Sequence, residues 1–199
     1  MDIHTLLRTR RSVRRFKADP VADSAIERIL TSATHAPSAH NRQPWRFCVV
    51  TTSVAKHRLA DKMSAAFESA LIADGLAAEE IKKQVTRSRT RILAAPVIIV
   101  LCMDPSELDQ YHDTKRKKAE YIMAVQSVAA ATNQLLLAAH AEGLGGVWVC
   151  SPLFAPEAVR EALELSPLWE PQGMCFVGYA DVVPAARERK ELSEIVVMR

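Results

Sequence analysis

Ala36-Pro37-Ser38-Ala39-His40-Asn41-Arg42-Gln43-Pro44-Trp45-Arg46-Phe47 carries the chain from a helix, through a short polar loop, into a strand that opens on aromatics. Pro37 stops the helix, because proline has no N–H to donate and its ring clashes with the preceding turn. Upstream, Ser24 and Glu27 stand at capping-box spacing, and Ile26, Ile29, Leu30 and Ala33 share one face, so Ser24 to Thr34 is expected to be helical. Downstream, Phe47-Cys48-Val49-Val50-Thr51 is apolar and β-branched, as a buried strand is. Trp45 is read as core.

Working outward, Pro96 to Met103, Val147 to Cys150 and Gly173 to Ala180 read as further strands. Ala55 to about Leu93 reads as helical and polar, with a basic stretch of Lys82, Lys83, Arg87, Arg89 and Arg91. That stretch is either a solvated helix face or an electropositive rim for an acidic substrate. Asp104 to Lys118 reads as a loop or lid, ending in the charge run Lys115 to Lys118. Glu120 to Glu142 contains no Gly or Pro and makes the longest helix, about 33 Å at ~1.5 Å per residue. It is apolar nearly all round, so it belongs in a core or a subunit interface. Gly143 ends it, and Pro156 opens another helix through Leu165. The tail from Asp181 to Arg199 is charged but closes on Ile195-Val196-Val197-Met198, an apolar segment expected to pair with an edge strand of another subunit. Helices and strands alternate without a regular βαβ repeat or a linker. The fold class is therefore α+β, one domain over residues 1–199.

Bulk chemistry narrows the function. A net charge of +3 on 199 residues is too small to argue for a nucleic-acid partner. Cys48, Cys102, Cys150 and Cys175 include no C-x-x-C pair, and the histidines show no metal spacing, so no metal site is expected. The cysteines read as small buried hydrophobes of a reducing compartment. The N-terminus lacks the apolar core of a signal peptide and no apolar run spans a bilayer, which gives the expectation of a cytoplasmic protein without a membrane partner.

Several clusters carry chemistry. Arg10, Arg11, Ser12, Arg14 and Arg15 crowd guanidinium forks that match phosphate oxygens bidentately, or they form a solvated basic turn. Within the Pro37 to Trp45 loop, Ser38, Asn41 and Gln43 offer short polar side chains to ribityl hydroxyls and the edges of a planar ring, or the loop is a polar turn. Paired with the arginines, they point to a flavin mononucleotide (FMN) site. In Gly143-Leu144-Gly145-Gly146 a helix precedes and a strand follows, the reverse of a dinucleotide fingerprint. Gly145 and Gly146 can instead bring backbone N–H groups close to a flat ring, and Gly143 alone is explained by a helix cap. Arg187 and Arg189 alternate in an extended arm, which puts both on one face, either closing on the same phosphate or exposed. His40 lies inside the candidate site and is taken as a substrate-pocket residue. No acid–base triad or nucleophile elbow is present, and flavin chemistry needs none, because the cofactor carries it.

With these residues in hand, the chain resembles the nitroreductase superfamily of FMN-dependent oxidoreductases. The likeness rests on Arg10-Arg11-Ser12-Val13-Arg14-Arg15-Phe16, on Ala36 to Phe47, on the long helix, on Gly143 to Val149 and on the basic C-terminal arm. It implies a central mixed, mainly antiparallel sheet flanked by helices, and an intertwined homodimer with FMN at the interface. By that resemblance Arg10, Arg11, Ser12 and Arg14 hold the phosphate and ribityl side, and Arg187 and Arg189 complete the clamp. Pro37, Ser38, Ala39 and Asn41 reach the partner's flavin, and Leu144, Gly145 and Gly146 line the ring edge. A closer likeness is to a stand-alone form of the FMN-binding C-terminal domain of the deazaflavin-coenzyme glutamyl ligase. Another is to the flavin-fragmenting dimethylbenzimidazole synthase.

The leading expectation is an FMN-dependent oxidoreductase that passes hydride in ping-pong fashion from NADH or NADPH to an electron-poor acceptor. The acceptor is a nitroaromatic, a quinone, an enone or a deazaflavin intermediate. The alternatives are a flavin- or deazaflavin-binding module without turnover, a synthase-like flavin-fragmenting enzyme, or a basic binding protein with no flavin.

Overall fold

A computed structural model describes residues 2–199. Four strands form one sheet: β1 (Trp45–Val50), β2 (Val97–Met103), β3 (Gly145–Val149) and β4 (Glu170–Gly178), in the spatial order β1-β2-β4-β3. Every strand pair is antiparallel. The parallel component among the described residues is one bridge between Ser12 and Gly146 on the outer edge of β3.

Among the described residues there are seven α-helices: α1 (Ile3–Thr9), α2 (Asp23–Thr34), α3 (Ser53–Ala73), α4 (Ala78–Ala94), α5 (Thr114–Ala141), α6 (Pro156–Leu163) and α7 (Leu192–Ile195). Side chains alternate across a strand, and β2 uses both faces. Val97, Ile99, Leu101 and Met103 join the core with α2 and α5; Ile98, Val100 and Cys102 join the opposite core with α3, α4 and α6. All seven residues of β2 are buried, which is why its sequence is continuously apolar. By length and composition α5 resembles a membrane span. Here Val128, Ala131, Leu135 and Ala139 bury it against α2 and the sheet, as a core helix.

The element boundaries differ from expectation in instructive ways. Helix α2 starts at Asp23, with Ala22 as a cap that has no side-chain bond, so Ser24 falls inside the first turn and makes no capping box. The helical region 55–93 is two helices, interrupted at Asp74 and Gly75. The lid expected over Asp104 to Lys118 is shorter. Asp113 accepts from the Arg116 N–H at 2.9 Å and starts α5 there, placing Lys115 to Lys118 in its first turns. Gly143 closes α5 at φ +77, a left-handed position that favours glycine. The cysteines divide: Cys102 and Cys175 are buried, Cys48 is half-buried and Cys150 is exposed, all free thiols. The apolar tail makes no strand here; Leu192, Ile195, Val197 and Met198 are exposed.

Candidate functional site

The arginine-rich segment is pinned along one corner of the sheet. Val13 donates its N–H to Gly146 O at 3.0 Å, Lys17 donates to Tyr179 O at 2.9 Å, and Asp181 donates back to Arg15 O at 3.0 Å. The extended backbone turns Val13 into the protein, 3% exposed, and Arg14 outward. A side chain on Gly145 would meet Val13 Cγ2 at 2.7 Å, so the glycine is what lets this segment lie against β3. The Arg11 guanidinium donates to Arg8 O at 2.6 Å and Arg10 O at 2.9 Å, and Arg14 donates to Ser12 O at 3.1 Å. Main-chain carbonyls thus hold two of the forks in place without neutralising them.

The bonds at Lys17 and Asp181 also bring the chain after β4 alongside. Arg10, Arg11, Ser12, Arg14, Arg187 and Arg189 line one cleft of about 480 Å³. Among the described residues no carboxylate lines it, and the donor set suits a phosphate. Arg8, on the last turn of α1, lines the same cleft. It stands two residues ahead of Arg10 in the sequence, a spacing that signals membership of the same cluster. His140 stands behind, its Nε2 2.8 Å from Thr9 Oγ1. Burial, then the charges of Arg10 and Arg11, hold its imidazole below the ordinary range.

Leu144, Gly145 and Gly146 are buried where β3 begins, beside Ser12 through the Ser12–Gly146 bridge. Arg14 faces a second cleft as well, about 470 Å³, between α4 and the sheet. Val147, Val149, Met174 and Phe176 form its floor, and Arg87 and Arg91 stand on its wall.

The loop after α2 lies elsewhere. Trp45, Met103 and Glu170 are aligned at one end of the sheet, while Gly145 and Gly178 are aligned at the other. Because β1 and β3 are also the two outer strands, the loop and the glycine segment occupy diagonally opposite corners. Three strand spacings and about seven residues of rise put them roughly 25–30 Å apart within one chain.

That loop is held in a strained form. His40, Asn41 and Gln43 have φ of 51, 54 and 50°, left-handed values costly for residues with a side chain. Ala39 N donates to Ser127 Oγ at 3.3 Å, and Gln43 N donates to Ser38 Oγ at 3.1 Å. Arg42 pairs with Asp109, whose N–H donates to the buried Glu120 at 3.3 Å. Pro37 and Asn41 are exposed, His40 is exposed, and Ser38 and Ala39 are half-buried. One chain therefore gathers the phosphate-binding residues at one corner and presents the loop residues at another. Among the described residues no metal-binding cluster occurs.

Residues 7–179 match the family model described as "Nitroreductase family". A relative from Archaeoglobus fulgidus, provisionally named NADH dehydrogenase/NAD(P)H nitroreductase, is 35% identical over 144 residues, 72% of this chain and 64% of that protein. The chain thus spans less than two thirds of that relative's length. The 5,6-dimethylbenzimidazole synthase of Rhodospirillum rubrum is 31% identical over 182 residues, 89% of this chain and 79% of that protein. Among solved structures, a provisionally named nitroreductase from Desulfovibrio desulfuricans in complex with FMN superimposes with a TM-score of 0.76 at 25% identity, covering 100% of this chain and 97% of that one.

Proposed function

The chain belongs to the nitroreductase family, and from that premise we propose that it is an FMN-dependent oxidoreductase working by ping-pong hydride transfer from NADH or NADPH to an electron-poor acceptor. The observation that carries the reading is the meeting of Arg10, Arg11, Ser12 and Arg14 with Arg187 and Arg189 in one cleft free of carboxylates. Those residues bind the phosphate and ribityl side. Leu144, Gly145 and Gly146 line the ring edge, with Val13 keeping the glycine backbone in place. Bound FMN supplies the hydride chemistry for a nitroaromatic, quinone, enone or deazaflavin intermediate.

Pro37, Ser38, Ala39 and Asn41 complete the site from a partner subunit, and His40 lines the substrate pocket. The diagonal separation of the two corners supports this reading, because one chain cannot bring both groups to one ligand. The functional unit is then a homodimer. A cytoplasmic location belongs to the same reading.

The test is the visible spectrum of purified protein before and after FMN is added and the excess removed. Retained flavin, bleached by NADH or NADPH and restored by an acceptor, supports the oxidoreductase. Retained flavin that neither nicotinamide bleaches favours a binding module without turnover. No retained flavin overturns the reading. The Rhodospirillum rubrum relative motivates one second reading, flavin fragmentation. Loss of FMN from the reduced protein in air, with dimethylbenzimidazole as product, would favour it.

A further inference from the structure

Glu120 lies on α5 beneath the His40 loop, 2% exposed and in no ion pair among the described residues. Its Oε1 accepts the Asp109 N–H at 3.3 Å, and no donor among those residues reaches its Oε2. A buried carboxylate oxygen without a donor costs more than a buried amide of the same shape. Stability therefore does not account for an acid at this position.

Glu120, Ala124 and Ser127 recur at four- and three-residue spacing, so they share one face of α5. With Ala39, Arg42 and Pro44 of the loop they line a cavity too narrow for a water molecule. The loop is tied to this face at both ends. Ala39 donates its N–H to Ser127 Oγ at 3.3 Å, and Ser127 Oγ donates in turn to Met123 O at 2.8 Å. At the other end Arg42 pairs with Asp109, which is bonded to Glu120. Between the ties stand His40 and Asn41, exposed and at φ 51 and 54°. Strained backbone persists where its surroundings over-determine it. Arg42 is the cation among the residues lining the cavity, so a Glu120 carboxylate attracts it toward α5 across a dry gap.

We propose that Glu120 is a positioning residue whose charge, acting through Asp109 and Arg42, holds the loop in its left-handed form and keeps His40 and Asn41 facing outward. The service of that loop at the flavin and acceptor of a second subunit rests on the reading above; the hold of Glu120 on the loop does not.

The experiment joins amide hydrogen exchange to steady-state kinetics on the full chain, after FMN is added and the excess removed. Nitrofurazone is the acceptor, with whichever of NADH and NADPH bleaches the flavin. Glu120→Gln keeps the shape and an acceptor for Asp109 but removes the charge. The amides of Ala39, Asn41, Arg42 and Gln43, each hydrogen-bonded in the loop, should exchange at least tenfold faster, with those of α2 and α5 unchanged. KM for nitrofurazone should rise about tenfold with kcat within about twofold, because a misplaced pocket residue weakens ground state and transition state alike. The melting temperature should not fall. Arg42→Gln should repeat the pattern, and the double variant should be no worse than either single one.

Unchanged loop exchange in Glu120→Gln would overturn the proposal. So would exchange that quickens throughout α2 and α5 with a lower melting temperature, the mark of a packing role alone, or single effects that multiply in the double variant. A yellow protein whose loop loosens at constant KM would overturn the positioning role as well. A colourless protein whose loop loosens keeps the hold of Glu120 and removes the flavin reading; a yellow, active protein whose loop is unmoved does the opposite.

Discussion

Val13 occupies the place where a side chain on Gly145 would stand, at 2.7 Å from the Cβ position. The N-terminal segment and the first residue of β3 therefore fit together as a small knob and an empty socket. Gly145→Ala should force Val13 outward, and overpacking of this kind costs about 1–3 kcal/mol. Because Ser12 and Arg14 flank Val13, FMN affinity should fall with stability. Thermal denaturation with and without FMN measures both. Val13→Ala on the same background should recover part of the loss, leaving the double variant more stable than the sum of the single effects predicts.

Arg14 faces both clefts and is exposed, its guanidinium donating to the Ser12 carbonyl at 3.1 Å. Removing one charged donor from a phosphate costs about 1.5–3 kcal/mol. Arg14→Ala should raise the FMN dissociation constant roughly ten- to a hundredfold, measured by quenching of flavin fluorescence. An unchanged constant would remove Arg14 from the phosphate clamp.

His140 makes flavin binding and stability depend on pH. Its folded-state proton affinity lies below the ordinary imidazole value, first through burial and then through Arg10 and Arg11. The unfolded chain takes up this proton at a higher pH than the folded chain does. The stability from neutral His140 is thus complete above about pH 6.5 and is lost as the pH falls through the folded-state value. Urea midpoints on the acid side should decline less in His140→Gln than in the unaltered protein. A phosphate between Arg10 and Arg11 offsets their charge, so FMN binding at mildly acidic pH should draw in a proton. Calorimetry in buffers of different ionisation enthalpy should register that uptake, and His140→Gln should abolish it.

The loop around His40 should trade stability against activity. A left-handed conformation costs a non-glycine residue about 1–2 kcal/mol, and the extra unfolded-state freedom of glycine takes back about 0.5–1 kcal/mol. His40→Gly should therefore raise stability by up to about 1.5 kcal/mol while kcat/KM for the acceptor falls, because the imidazole is gone from the pocket. A variant with lower stability and unchanged turnover would show that the backbone is unstrained and the side chain idle.

Much of this was legible in the sequence because short-range chemistry decided it. The apolar run of β2, the stop at Pro37, the cap at Gly143 and the crowding of Arg10 to Arg14 each rest on neighbours within a few residues. What escaped depends on distant partners. Asp113 looks like one more charged loop residue until its carboxylate is seen to start α5. The basic stretch of α4 looks uniform until Asp61, far back on α3, claims Arg89 and leaves Arg87 and Arg91 facing the cleft. Gly145 invites a ligand in the sequence, whereas in the fold its missing side chain is matched by Val13. The diagonal placement of the His40 loop follows from strand order, which no local pattern encodes.

That strand order carries a genetic consequence. If each flavin draws Arg14 from one chain and Asn41 from the other, damage at the two positions is inherited separately. A mixed dimer of an Arg14 variant and an Asn41 variant would concentrate both lesions in one site and leave its sister site intact. Random pairing in a twofold dimer would restore about a quarter of all sites, so two defective alleles expressed together would complement where neither suffices alone.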